Sequence, residues 1–280
     1  YNAGTVDGSY YVGGVVGEVW PDVVTITNCY NTGSVTGSNN YVGGVVGYAD
    51  SSSTITNCYN TGTVGGDGDP AGGVVGHAYR SDITNCYNTG DVTGSSTAGG
   101  VVGETYSSTI TNCYNTGEVT VSGGSWVGGV VGDASSSTIT NCYYGGNCTL
   151  SYGIGSSSSN TGASKDENLI ANAKSLSWYQ DSSKWDSEYP WDFVEVWSLV
   201  PSANDGYPIL QGFSVNITYN SNFGENETVT ETLPMGESVV IAGADLFERE
   251  GYTVSSWNTM ADGSGVSYAP GATYTGSSVT

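Results

Sequence analysis

Cations are what this sequence most lacks. It has 5 Lys and Arg against 27 Asp and Glu, a single His, and a formal net charge of −22 over 280 residues. Before Lys165 the only basic residue is Arg80. A surface so short of positive charge repels nucleic acid and anionic lipid, which removes both as partners. Charged residues make up only 11% of the chain, so the surface is mainly Ser, Thr, Asn and Gly. Proline is scarce too (7), which argues against a disordered Pro/Gly tract, and the 43 glycines follow no Gly-X-Y period, which excludes collagen. No run of apolar residues reaches the length of a membrane-spanning helix. No signal peptide is visible. The chain opens in mid-repeat, since Tyr1-Asn2-Ala3-Gly4 matches Tyr30-Asn31-Thr32-Gly33, and so reads as a piece of a longer protein whose location the missing segment does not decide.

What is present is a repeat. Thr25-Ile26-Thr27-Asn28-Cys29-Tyr30-Asn31-Thr32-Gly33 returns four times, placing cysteines at Cys29, Cys58, Cys86, Cys113 and Cys142. Each unit runs Tyr-Asn-x-Gly-x-Val, a variable loop, Gly-Gly-Val-Val-Gly, a second variable loop, then Thr-Ile-Thr-Asn-Cys. All length variation falls in the loops, as expected when loops project from fixed strands. Each unit has three short β-branched runs and too few apolar groups to form a core alone. Stacking puts Ile on Ile and Val on Val. The predicted fold is all-β: a right-handed parallel β-helix with three-strand rungs over residues 1–149. At about 4.8 Å per rung it forms a rod roughly 25–30 Å long.

The repeated polar residues fit the same scheme. Asn28, Asn57, Asn85, Asn112 and Asn141 are expected at one corner, each hydrogen-bonded to its copy one rung away. The five repeat cysteines match no zinc spacing and read as a buried column of free thiols. Cys148 lies outside the repeat, and a Cys142–Cys148 bridge at the end of the rod is one expectation. Gly65-Gly66-Asp67-Gly68-Asp69 has carboxylates two apart, suited to calcium, against the simpler reading of a solvated turn. No other cofactor is implied. His77 shares its repeat position with Glu18, Tyr48, Glu104 and Asp133 and reads as a variable surface residue.

After Gly145 the repeat dissolves. Residues 150–213 form a Trp-rich cap or linker, with a weak helix candidate over Lys165–Leu176. A solenoid end needs covering, and Trp191 and Trp197 serve as cap and core or, alternatively, as a glycan-stacking platform. Residues 214–280 alternate like short strands around Trp257-Asn258-Thr259 and Asp262-Gly263-Ser264-Gly265.

The units resemble GLUG-motif repeats of bacterial and archaeal surface proteins. Residues 214–280 resemble the internalin-type B repeat (the Listeria–Bacteroides repeat), a small β-grasp-like module, here apparently cut short at its last strand. The resemblance implies an adhesin-like, extracellular or cell-surface protein, with spacer modules between anchor and head. GLUG repeats also accompany immunoglobulin-A-cleaving peptidases, whose zinc site sits in another domain. No His-Glu-x-x-His is found here.

Catalysis has little to build on. Glu104 and Asp133 fall about one rung apart, the nearest approach to a glycosidase pair, without a base beside them. There is no Gly-x-Ser-x-Gly, P-loop or CxxC. The expected role is therefore a non-catalytic stalk, filament component or adhesin. Its partners are other copies of itself, other surface proteins, or glycans. Alternatives are a carbohydrate-binding or carbohydrate-active β-helix, and ice binding through the Thr-x-Thr columns beside Ile.

Overall fold

The computed structural model describes residues 1–67, 70–124, 126–158, 172–174, 191–199, 204–211, 214–222, 227–234 and 238–275. The chain divides into two compact units, Tyr1–Ser198 and Leu199–Thr280.

The first unit is a parallel β-solenoid. The three β-branched runs of each repeat all become strands. Glycine breaks two of the runs, so five ladders form. Representative strands of one turn are Tyr30–Asn31, Val35–Gly37, Val42–Gly43, Val46–Ala49 and Thr54–Thr56. Every pairing in the solenoid is parallel, and the repeated positions join like to like: Val35 to Val64, Ile26 to Ile55, Tyr59 to Tyr87. Two ladders continue one strand further, through Ile154–Ser158 and Asn172–Lys174. The latter pairs with Tyr143–Gly145. This corrects the helix expected over Lys165–Leu176: its described residues, 172–174, are extended, and the others lie outside the described residues. A free edge in the ladder above offers hydrogen bonds that outweigh a weak local propensity.

Burial follows from that register. Ile55, Ile83, Ile110 and Ile139 are fully buried in one column, with Val46, Val75, Val102 and Val131 in another. The Gly-Gly-Val-Val-Gly block is glycine-rich for reasons of space. A Cβ on its second glycine (Gly44, Gly73 or Gly100) would overlap a backbone oxygen of the next rung and the amide carbon of Asn60, Asn88 or Asn115.

Those asparagines form a continuous interior ladder. Asn31, Asn60, Asn88 and Asn115 are all completely buried. Each of the first three donates from Nδ2 to the Oδ1 of the next at 2.7 Å. Each also donates to a carbonyl two residues on, as Asn88 does to Gly90 at 2.7 Å. Tyr144 occupies the following register position and ends the ladder, its ring packed on Gly129. Beside this runs a tyrosine column in which Tyr1, Tyr30, Tyr59, Tyr87 and Tyr114 stack face to face at 4.8–5.0 Å.

In the second unit, antiparallel pairs join Ser214–Asn220 to Thr228–Pro234, Ser238–Val240 to Thr273–Thr275, and Trp257–Asn258 to Ser267–Tyr268. Tyr219, Ile241 and Phe247 make its core, with Trp257 against them. The Trp257 indole N–H donates to the Ala242 carbonyl at 2.8 Å.

Candidate functional site

Outward faces of the rod differ sharply in chemistry. The Thr-Ile-Thr ladder presents Thr on both sides of the buried Ile, interrupted by Asp82 in the third turn. The ladder built from Val16–Val19, Val46–Ala49, Val75–Tyr79, Val102–Tyr106 and Val131–Ser135 presents aromatics and acids instead. Strand alternation buries Val19, Ala49, Ala78, Thr105 and Ala134. It leaves Glu18, Tyr48, His77, Glu104 and Asp133 in one outward column, in register. The next outward column holds Tyr79, Tyr106 and Ser135.

The aromatic rings pack on one another. Tyr79 and Tyr106 stack at 5.3 Å and 7°, and the Arg80 guanidinium lies 5.0 Å from the Tyr79 ring centre. Tyr11 and Tyr41 enter from the neighbouring ladder, stacked at 5.5 Å, and Tyr41 packs against Tyr48 at 5.3 Å. Both hold left-handed backbone conformations, φ 54° and 64°, which are unfavourable for a bulky side chain. Tyr48 donates to Asp50 at 3.3 Å. Burial, then the Asp50 charge, push the Tyr48 phenol up to about 12.

His77 is the correction in this face. It is a half-buried residue with a side chain only 12% exposed, not a freely solvated one. Tyr41 and Tyr48 meet its ring edge-to-face at 4.9 and 5.3 Å. Its Nδ1 lies 3.7 Å from Glu104 Oε2, and neither ring nitrogen has a hydrogen-bond partner among the described residues. Burial lowers its pKa to about 4, against a weaker pull from Asp50. The sign follows directly. The unfolded imidazole takes up a proton below about pH 6.5 and the folded one only near pH 4. Stability therefore falls as pH drops through that window, by up to about 3 kcal/mol. His77→Gln is expected to flatten this part of the profile. Denaturation midpoints at pH 7 and pH 4.5 check it, and an unchanged slope would refute the assignment.

Glu104 and Asp133 are neighbours in register, and both are half-buried. Asp133 Oδ1 is buried without a hydrogen-bond partner among the described residues, and burial raises its pKa.

The remaining sequence candidates lie elsewhere. Cys58, Cys86, Cys113 and Cys142 are buried and Cys29 half-buried, in one column. Each thiol donates to the carbonyl two residues before it, as Cys86 does to Thr84 at 3.3 Å. Cys142 and Cys148 are both free thiols, a correction to the bridge considered above. Cys142 is committed to the column, with its thiol on Thr140, while Cys148 is held by a tight turn on Gly145. Asn28, Asn57, Asn85, Asn112 and Asn141 share φ values of 52–54°, and the last three donate to the copy below at 3.2 Å. Asp67 is exposed, and Asp69 lies outside the described residues. Among the described residues no three His, Cys, Asp or Glu side chains gather to hold a metal ion.

Trp191 and Trp197 are also corrected as a sugar platform. They are 3% and 0% exposed. They stack on each other at 4.5 Å and cover the tyrosine column, with Trp197 against Tyr87 and Tyr114 and Trp191 against Tyr143. The Trp191 indole N–H donates to the Asn141 carbonyl at 3.1 Å. No face of either ring is left for a ligand. The outward face of Tyr79 and Tyr106 escaped the sequence reading. Its signal was the residue two places after the variable column, which alternation sends to the same side.

Ladders, buried columns and outward loops define a parallel β-solenoid. The GLUG motif model matches it at residues 38–65, 71–93 and 94–122, three of its turns. A protein of Evansella cellulosilytica, provisionally named a membrane protein, is 30% identical over 105 residues. That match takes in 35% of this chain and 14% of the relative's length. A crystal structure from Bacteroides ovatus, provisionally named an immunoglobulin A1 protease, superposes with a TM-score of 0.51 at 23% identity. It covers 76% of this chain and 70% of that one, and the likeness is one of fold. Among the described residues no helix is long and apolar enough to cross a membrane.

Proposed function

We propose that the protein is an extracellular, cell-surface rod with a structural and adhesive role and no catalysis. One observation carries this reading. Repeated positions face inward and stack on their own copies, while non-repeated aromatic and acidic side chains collect on one outward sheet. A solenoid built in this way holds a binding face at fixed spacing on a stiff support. The cation-poor surface and the likeness to a relative provisionally named a membrane protein support a place at the cell surface. Residues 214–280 serve in this reading as a spacer module of the internalin B-repeat type. The peptidase name of the Bacteroides ovatus structure is not carried over. The chain has no His-Glu-x-x-His, and its one histidine is held between tyrosines.

The test is display of the full chain on a non-adherent bacterium. Attachment to surfaces coated with polysaccharide, with matrix protein and with the chain itself is compared with an empty-display control. Increased attachment to at least one coating is expected. No increase on any of them would overturn the adhesive role.

A further inference from the structure

The geometry points to an uncharged polysaccharide as the ligand of the aromatic and acidic face, lying lengthwise along the rod. This rests on the adhesive reading above and names its partner class.

Three features select that chemistry. First, the rings are arranged as a platform. Tyr11, Tyr41, Tyr48, Tyr79 and Tyr106 span four successive turns, and Tyr11 and Tyr106 are 38% and 42% exposed. The stacked pairs Tyr11–Tyr41 and Tyr79–Tyr106 close their facing sides on each other, so the exposed parts of Tyr11 and Tyr106 and the ring edges between them are the apolar surface offered to the C–H faces of pyranose rings. Second, the polar groups between the rings are mostly acceptors. Glu18 is exposed, and Glu104 and Asp50 are half-buried. Carboxylates accept from sugar hydroxyls and repel uronate, sulfate or sialate groups. Arg80, stacked on Tyr79, is the one Lys or Arg among residues 1–158 and the one cation beside these rings. Third, a peptide strand has no place to pair on this face. The strands of this ladder run Val16–Val19 to Ile154–Ser158, and the four between these two ends are each bonded to the turns before and after, so the stretch that carries Tyr48, Tyr79 and Tyr106 offers side chains and no strand edge. A peptide would have to bind without main-chain hydrogen bonds, whereas a sugar needs none.

Titration calorimetry with the full chain tests this, using cellohexaose, xylohexaose, mannohexaose and laminarihexaose, with hyaluronan as the acidic counterpart. Binding to at least one neutral oligosaccharide is expected, with none to hyaluronan. Tyr106→Ala together with Tyr79→Ala is expected to weaken it about tenfold or more. An unchanged thermal midpoint in the double variant separates lost contact from lost fold. Should that variant unfold, Glu104→Gln gives a second readout: weaker neutral-sugar binding, with hyaluronan still excluded. Failure of all four neutral oligosaccharides overturns the inference, as does preference for hyaluronan or binding that survives both variants. Release of shorter sugars, abolished by Glu104→Gln, would replace binding with catalysis and also overturn it. If the displayed chain still adheres while these probes fail, the adhesive role stands and only the ligand class is wrong.

Discussion

Asn88→Ala is expected to lower the stability of the solenoid by about 3–6 kcal/mol, most or all of the margin of a typical domain. Three hydrogen bonds of 2.7 Å disappear together: from Asn60, to Asn115 and to the Gly90 carbonyl. The positions are fully buried, so no water takes over the orphaned amide hydrogen and oxygens. Each unsatisfied group carries its own desolvation cost. A void also opens beside Gly73, whose backbone is packed against the Asn88 amide. The outer ladder supplies the comparison. Asn112 makes 3.2 Å bonds in a half-buried setting, with φ at 54°. Asn112→Gly keeps that backbone conformation available, loses two weaker bonds, and should cost about 1 kcal/mol. Guanidinium denaturation followed by far-UV circular dichroism measures both. Equal midpoints for the two variants would mean that the inner ladder is not the stronger element.

The same comparison shows what could be read from sequence and what could not. The Ile column and the parallel stacking were legible because in a register-locked stack each inward residue faces its own copy. Strict recurrence and burial then become the same signal. Both asparagines recur equally strictly, however, and nothing local distinguishes the half-buried Asn85 from the fully buried Asn88. The difference is set by which corner the chain turns, with Asn28 and its copies taking the left-handed one. Trp191 and Trp197 were ambiguous for another reason. A tryptophan outside the repeat suits a ligand platform or a core equally well, and its burial depends on contacts with Tyr87, Tyr114 and Tyr143, some 50 or more residues away in the chain. His77 occupies a position filled by Glu, Tyr or Asp in the other four turns. Its burial comes from the chance neighbours Tyr41 and Tyr48, so no single repeat predicts it.

The second large effect concerns a single methyl group. Gly99→Ala is expected to destabilise by about 3 kcal/mol or more, at the upper end of overpacking costs. A Cβ there would fall well inside contact distance of the Val102 carbonyl oxygen and close on the amide nitrogen of Gly132 in the next turn. Both are backbone atoms, so no rotamer change relieves the overlap. Nor can the backbone simply retreat, because Gly99 is paired to Gly72 on one side and Gly128 on the other. The strain would pass into both adjoining turns, and in a stacked array the interfaces between turns carry the stability. Gly65→Ala is the opposite case. Nothing lies within 4 Å of its Cβ position, and its register neighbours Thr36 and Thr93 already carry side chains. There the methyl group only removes freedom from the unfolded chain, so stability should rise by about 0.4–1 kcal/mol. Opposite shifts in the denaturation midpoint from one chemical change would show that close approach between turns, not glycine content as such, fixes the Gly-Gly-Val-Val-Gly block. Shifts of the same sign would refute it.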